Sequence, residues 1–600
     1  MSNFLLPTRL RALLLAFLLV CGNILLLVAF PPSLWPRMWP QPAISWLIVL
    51  AVIVLWMQQQ QLWSKQVRIR LTGGALVFLC EIYAWHSLSI TLRQPSLVSI
   101  LHLVAAFWIN AVIVLGVWNQ LRPRDQRQAP TLAELPEVAV VIPTYGEPIH
   151  VLELVIRAAA ALDYPRGLLR VYVSDDGHRD EVAQLARRCG VLYLQGPRKD
   201  AKAGNLNSAI AAISRLQPAC DFVLTQDADE VIDPQFLHKV VGYFANTRVA
   251  FVQTPKECVV PDSDPFGNRD RVFYDSIQVG RNGDNAAFAC GSGVLWRISA
   301  VEQVGGFNTW NLVEDMTTSY ELHNAGFDSV YHNEVLSVGL APDDIPGMLK
   351  QRGTWAVDTW RMFLFDNPLL KRGNLTLQQR LHYLELGLFY FTSAFIFPLL
   401  FFIPMLALLT GDFLIVEGSI LFPWIAASTL YYLTLAEGSG AYVWRYWQYW
   451  IGHTPTYLSA FWTAVRSRDQ KPRYVVTRKT RLGGFHGHLL WPQFLLLLLA
   501  CISIVVGITL YGATHSIFVL TNVLIVIYYT LLVNGICNAA FFGVGLADLP
   551  IVGQLVRVQR RVLAPRAATR TGARTHDLAL LQYARDESDE PLIALERGAD

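Results

Sequence analysis

Leu169-Arg170-Val171-Tyr172-Val173 runs directly into Ser174-Asp175-Asp176-Gly177, and Phe222-Val223-Leu224-Thr225 runs directly into Gln226-Asp227-Ala228-Asp229. Each is a short β-branched and aromatic run that ends in acids, which predicts a strand with carboxylates at its carboxyl end. Val138–Pro143 and Val191–Leu194 read as further strands, with Val151–Leu162, Asp180–Cys189 and Asn205–Leu216 as intervening helices. This alternation predicts an α/β domain around a parallel sheet, where ligands collect beyond the carboxyl ends of the strands. The acidic clusters fall where such a site belongs.

The rest of the chain has membrane composition: 53% of its 600 residues are hydrophobic, 12% are aromatic and only 16% are charged. Eight apolar stretches approach spanning length, at 10–30, 44–58, 72–92, 97–118, 384–409, 413–436, 489–511 and 516–541. Glu81 and His86 interrupt the third. Arg9 and Arg11 precede the Leu-rich run of the first stretch, but its apolar part is too long for a cleaved leader and predicts a retained anchor. Lys and Arg gather at Arg9/Arg11, Lys65/Arg68/Arg70, 119–383, 466–481 and after Arg557, all on one side if eight spans exist. That places the large insert and both termini in the cytoplasm. The net charge of +3 gives no reason to expect nucleic acid as a partner. The eight cysteines are scattered, without CxxC pairs or metal spacing, which suits a reducing compartment.

A nucleoside diphosphate leaving group concentrates negative charge, and a divalent cation on hard oxygen ligands offsets it. Asp227 and Asp229, with Ala228 between them, can point to one such ion, although two solvated strand-end acids give the same string. Asp175 and Asp176 can equally serve as turn residues before Gly177. Lys202-Ala203-Gly204-Asn205-Leu206-Asn207 offers a cation and a glycine-permitted backbone approach at a helix start, which suits phosphate. Asp315, in Glu314-Asp315, is the candidate base; the pair can also be read as first-turn acids facing a helix dipole. Downstream, Trp355 offers an apolar face to a sugar ring and Gln351 a hydrogen-bonding amide.

In this combination the chain resembles the processive family-2 glycosyltransferases, and within them the catalytic subunit of bacterial cellulose synthases. Their signature is D, D-x-D, then D followed after 35 residues by Q-(Q/R)-x-R-W, and Asp315 and Gln351 have that spacing. Pro143-Thr144-Tyr145-Gly146-Glu147, Val252-Gln253-Thr254-Pro255, Cys290-Gly291-Ser292-Gly293 and Val313-Glu314-Asp315 also match. Tyr474-Val475-Val476-Thr477-Arg478-Lys479 is similar to the family's Phe-x-Val-Thr-x-Lys gating loop, carried here by Tyr474, Val476, Thr477 and Lys479.

The resemblance implies an α/β GT-A-like glycosyltransferase domain inserted in an eight-helix transmembrane α bundle. Its divisions would be four helices in 1–125, the domain in 126–383, and four helices in 384–550 with an interface helix and gating loop at about 437–487. A charged tail would fill 551–600. Carried over by motif, Tyr145, Glu147, Asp176, Lys202, Asp227 and Asp229 would bind the donor, with Asp227 and Asp229 on Mg²⁺ or Mn²⁺. Asp315 would be the base, and Cys290, Gln351 and Trp355 would line the acceptor end. Implied partners are UDP-glucose, the growing β-glucan, membrane lipid of the bacterial inner membrane and an accessory export subunit. Trp444, Trp447, Ile451, Leu458, Trp462 and Val465 fall at near-helical spacing, as in an interfacial helix.

The chain departs from this pattern in two regions. Thr354 replaces the Arg of the Q-x-x-R-W motif, with Arg352, on the donor side, and Arg478/Lys479 as candidates to compensate, and Asp358 stands where a small or basic residue is usual. These changes keep β-1,4, β-1,3 (curdlan-like) and mixed-linkage products in play. Arg557-Val558-Gln559-Arg560-Arg561 resembles the entry motif of a cyclic-di-GMP-binding barrel, yet only about 40 residues follow it, and 564–600 reads as disordered or helical. Two other readings compete: a non-processive transferase that loads a lipid carrier, and a channel or transporter that senses nucleotide sugars.

Overall fold

The structure is a computed structural model that describes residues 63–216, 220–261, 264–413, 418–437, 443–472, 485–542 and 544. The expected spans at 10–30 and 44–58, the Tyr474–Lys479 loop and the tail from 551 lie outside the described residues.

Among the described residues, ten strands form two sheets: β1 Val138–Thr144, β2 Leu169–Asp175, β3 Leu192–Gln195, β4 Phe222–Thr225, β5 Glu230–Ile232, β6 Val249–Gln253, β7 Lys256–Val259, β8 Val294–Arg297, β9 Asp328–Tyr331 and β10 Ser337–Leu340. The main sheet has the order β3-β2-β1-β4-β8-β6-β9, and β5-β10-β7 form a small second sheet. The main sheet is mixed, which corrects the expected parallel one. Strands β3, β2, β1 and β4 are parallel, but β8 pairs antiparallel with both β4 and β6. The central β1 is buried on both faces, as its unbroken Val138-Ala139-Val140-Val141-Ile142 run requires. One face packs on the Ile149–Ala160 and Asp180–Cys189 helices through Leu152, Val155, Ile156, Val182 and Leu185. The other packs on the Ala201–Ile213 helix through Ala203, Leu206 and Ile210, together with Trp296, Phe251 and Phe307.

Among the described residues, five helices are long and apolar enough to cross a membrane: Lys65–Arg93, Leu97–Asn119, Leu377–Thr410, Gly487–Tyr511 and Ser516–Ala539. The third expected span, interrupted by Glu81 and His86, lies in a continuous helix of 29 residues. Gly418–Ala436 is a shorter apolar helix at the expected 413–436 stretch. On Trp491–Tyr511 the outward residues Leu495, Leu498, Ile502, Val505 and Ile508 are exposed. An apolar band of that extent suits lipid, where a helix satisfies its own backbone.

The expected single interfacial helix is two, Val443–Gly452 and Thr454–Arg466. Pro455, in the first turn of the second, has no N–H to continue the first. Trp444, Trp462 and Val465 face outward, while Tyr449, Tyr457, Ala460 and Ala464 pack inward. The second helix lies along Ile345–Phe365, where Trp360 Nε1 donates to the Tyr457 carbonyl at 3.3 Å. That contact joins the α/β domain to the membrane-facing layer.

Trp296 is buried at the centre of the sheet, its Nε1 donating to Thr225 Oγ1 at 3.1 Å. Trp296→Ala is expected to cost about 3–5 kcal/mol. Thermal unfolding of the detergent-solubilised protein checks this, and an unchanged midpoint would contradict the packing described.

Candidate active site

The carboxyl ends of β1, β2 and β4 open onto a cavity of about 820 Å³, whose lining includes Tyr145, Glu147, Asp176, Lys202, Asp227 and Asp229. Cys290, Glu314, Asp315, Gln351, Arg352 and Trp355 line the same cavity. Residues spread over more than 200 positions of sequence therefore meet in one space.

At the end of β2 the two acids divide the roles that the sequence left open. Asp175 makes the turn: its Oδ1 accepts from Gly177 N at 2.9 Å and its Oδ2 from Arg179 N at 2.6 Å. Asp176 faces the cavity and accepts from Arg198 N at 3.0 Å; burial raises its pKa. Gly196 permits this approach, because a Cβ there would lie 2.0 Å from Asp176 Oδ1. Glu147 turns its Oε2 back onto its own loop, accepting from Thr144 Oγ1 at 2.6 Å and Tyr145 N at 2.9 Å. Its main effect is to brace the turn that presents Tyr145, which is 57% exposed at the cavity mouth.

Lys202 joins the acidic clusters. Its Nζ donates to Asp227 Oδ1 at 2.6 Å and to the Gly291 carbonyl at 2.8 Å, and lies 3.5 Å from Glu314 Oε1. Burial opposes the charge, but Asp227 and then Glu314 outweigh it and raise the lysine's pKa. The glycine of the Lys202–Asn207 string has a different use from the one expected. A Cβ on Gly204 would lie 1.8 Å from the Lys199 carbonyl, so this glycine accommodates its own chain rather than a ligand.

The Cys290–Gly293 loop is held from below by Gln253. Its Oε1 accepts from Cys290 N at 2.5 Å and its Nε2 donates to the Ser292 carbonyl at 3.0 Å. Ser292 Oγ in turn accepts from Asp227 N at 2.9 Å. The Val252–Pro255 motif is thus a support for the site. Gly291 has φ +89°, and a Cβ there would stand 3.1 Å from Asp315 Oδ2 and 3.4 Å from Lys202 Nζ.

Asp315 opens the Glu314–Ala325 helix, its Oδ1 accepting from Met316 N at 2.7 Å. Burial first, and then the neighbouring Glu314 charge, push its pKa up to about 8, with Lys202 pulling the other way. Such a carboxyl is poised to exchange a proton near neutral pH.

Gln351, Thr354 and Trp355 project from the Ile345–Phe365 helix. Thr354 Oγ1 bonds the Lys350 carbonyl of its own helix and brings no charge. Arg352, expected on the donor side, is held by Asp270 at 2.7 Å and by the Gly267 carbonyl at 3.0 Å. Its guanidinium lies 4.9 Å over the Trp355 ring, so it stiffens the part of the cavity wall that Trp355 forms. The cation that the sequence reading missed is Lys256, whose Nζ lies 2.7 Å from Glu230 Oε2 and 3.6 Å from Asp227 Oδ2. It directly follows Val252–Pro255, which was the available signal. Arg198, also missed, lines the cavity beside Asp176.

Among the described residues no group of three or more His, Cys, Asp or Glu side chains could hold a metal. Asp227 and Asp229 supply hard oxygens to the cavity, a donor set that fits a cation taking its other ligands from diphosphate and water.

Residues 136–358 match the model of the glycosyltransferase like family 2, and residues 302–465 match the cellulose synthase model. The chain carries both domains. Its α/β unit is therefore a GT-A-like glycosyltransferase fold. A cellulose synthase catalytic subunit (UDP-forming) of Xanthomonas axonopodis pv. citri is 32% identical over 345 residues, 55% of this chain and 46% of that protein. One from Komagataeibacter sucrofermentans is 30% identical over 389 residues, 62% of this chain and 48% of that protein. The chain spans about half the length of these curated relatives. Among solved structures, a mannosyltransferase from Pyrobaculum calidifontis in complex with GDP-Man and Mn²⁺ aligns with a TM-score of 0.45 and 19% identity, over 62% of this chain and 100% of that one.

Gly291→Ala would force a left-handed backbone and press on Asp315 and Lys202 together. Glycosyl transfer is expected to fall about 10²-fold with the unfolding midpoint within a few degrees of the parent. Parental activity in this variant would show that the loop can yield.

Proposed function

We propose that this chain is a processive, inverting β-glucan synthase that polymerises glucose from UDP-glucose and passes the product across the membrane. The observation that carries this reading is the single cavity in which Asp176, Asp227, Asp229 and Asp315 meet Gln351 and Trp355. Donor-side and acceptor-side chemistry share one wall.

Tyr145 and Asp176 are suited to the uridine, and Lys202 to the diphosphate, where its ammonium offsets charge as the bond to the anomeric carbon breaks. Mg²⁺ or Mn²⁺ on Asp227 and Asp229 would supply further charge neutralisation for the leaving group. Lys256 adds a cation beside Asp227 and offsets part of what Thr354 lacks. The terminal sugar of the acceptor stacks on Trp355 and hydrogen-bonds Gln351, and the free carboxylate oxygen of Asp315 takes the proton of the attacking hydroxyl. Attack opposite the departing diphosphate inverts the anomeric centre. The packing of the Ile345–Phe365 helix on Thr454–Arg466 supports delivery of product toward the membrane-spanning helices. Thr354 and Asp358 leave β-1,4, β-1,3 and mixed linkages as candidate products. The catalytic domain on this reading is cytoplasmic in a bacterial inner membrane.

Membrane vesicles containing the protein are expected to incorporate labelled UDP-glucose into polymer, and Asp315→Asn to abolish incorporation while UDP binding persists. Digestion with β-1,4- and β-1,3-specific glucanases then assigns the linkage. Short or lipid-linked products would point instead to a non-processive transferase, and retained polymer synthesis by Asp315→Asn would remove the base assignment.

The pH dependence follows from the raised Asp315 pKa. Below about 8 the carboxyl of the free enzyme is protonated and cannot accept a proton, so kcat/KM is expected to rise as pH passes through about 8. Glu314→Gln removes a like charge and is expected to move that limb to lower pH. A limb that stays in place in this variant would contradict the electrostatic account.

A further inference from the structure

The Ile345–Phe365 helix, which carries Gln351 and Trp355, also grips the segment that leads into Asp315. Arg361 Nη1 donates to the Trp310 carbonyl at 2.8 Å, with its guanidinium 4.4 Å over the Trp310 ring. Asn311 Nδ2 donates to the Asp358 carbonyl at 3.4 Å. Asp358 is fully buried, and its Oδ2 accepts from Val313 N at 2.5 Å.

Val313 is the N-cap of the Glu314–Ala325 helix and makes no side-chain cap of its own. In a capping box the third helical residue bonds back to the N-cap N–H, but here that residue is Met316, which cannot. Asp358 provides the missing acceptor from a neighbouring helix, one turn beyond Trp355. Its carboxylate therefore ties the start of the helix that holds Asp315 to the helix that holds the acceptor platform.

We propose that Asp358 is a positioning residue that sets the distance between Asp315 and the sugar presented on Trp355. This rests on the reading of Asp315 as the base. The Val313 N–H bond reaches within two residues of Asp315, and errors of about 1 Å in a reacting geometry can cost about 10²-fold in rate.

The test is steady-state incorporation from UDP-glucose in vesicles holding the parent, Asp358→Ala, Asp358→Asn and Asp315→Asn. Asp358→Ala is expected to lower kcat about 10²-fold and leave KM for UDP-glucose within about twofold, since no donor contact is touched. Asp358→Asn keeps an oxygen for Val313 N–H and is expected to recover kcat to within about tenfold of the parent. Should the alanine variant not accumulate, the asparagine variant decides: kcat within that tenfold at unchanged KM supports the proposal. An asparagine variant with a larger loss or a raised KM overturns it. An alanine variant within threefold of the parent, alongside an inactive Asp315→Asn, overturns this proposal alone. Retained incorporation by Asp315→Asn overturns the base reading and this proposal with it.

Discussion

The Lys202 ammonium holds together a site that its own charges would otherwise push apart. Asp227 at a strand end and the adjacent Glu314 and Asp315 at a helix start converge at the carboxyl end of one sheet, where like charges in a partly dry space repel. Lys202 bonds Asp227 directly, approaches Glu314 and takes the Gly291 carbonyl, so one cation ties a strand end, a helix start and a glycine loop. The rest of the cavity is arranged around that bridge. Gln253 supports the glycine loop from beneath, and Gly291 lacks the Cβ that would separate Asp315 from Lys202.

A second constraint comes from the Ile345–Phe365 helix, which faces three ways. Toward the cavity it offers Gln351 and Trp355, toward the segment that leads into the Asp315 helix it offers Asp358 and Arg361, and toward the interfacial layer it packs Trp360 on Tyr457. Arg352 adds stiffness by lying over Trp355 while paired with Asp270. A rigid element shared by the cavity wall, the start of the Asp315 helix and the interfacial layer keeps those three in register.

Several sequence expectations met their structural counterparts closely. The strands β1, β2, β3 and β4 begin or end within a residue or two of where β-branched runs stop, because alternation and turn chemistry are local signals. One cavity also gathers Asp176, Asp227, Asp229, Asp315, Gln351 and Trp355, the residues named from the motifs. What the sequence concealed were contacts between distant segments. The reversal of β8, the commitment of Arg352 to Asp270 and the place of Lys256 beside Asp227 each depend on a partner far along the chain. The break before Thr454 was visible as Pro455, but the even spacing of large apolar residues masked it.

By itself the sequence determined that this protein has an α/β domain ending its strands in acids and apolar helices fit for lipid, since hydrophobic period, run length and turn residues act over a few positions. The tertiary structure alone decided which acid makes a turn and which faces the cavity, which cation balances which carboxylate, and that Asp358 reaches the start of the helix that carries Asp315. Apart from the local turn bonds of Asp175, those outcomes turn on burial and on distances of about 3 Å between segments remote in sequence, where Coulomb attraction and hydrogen-bond geometry operate only after the chain has folded.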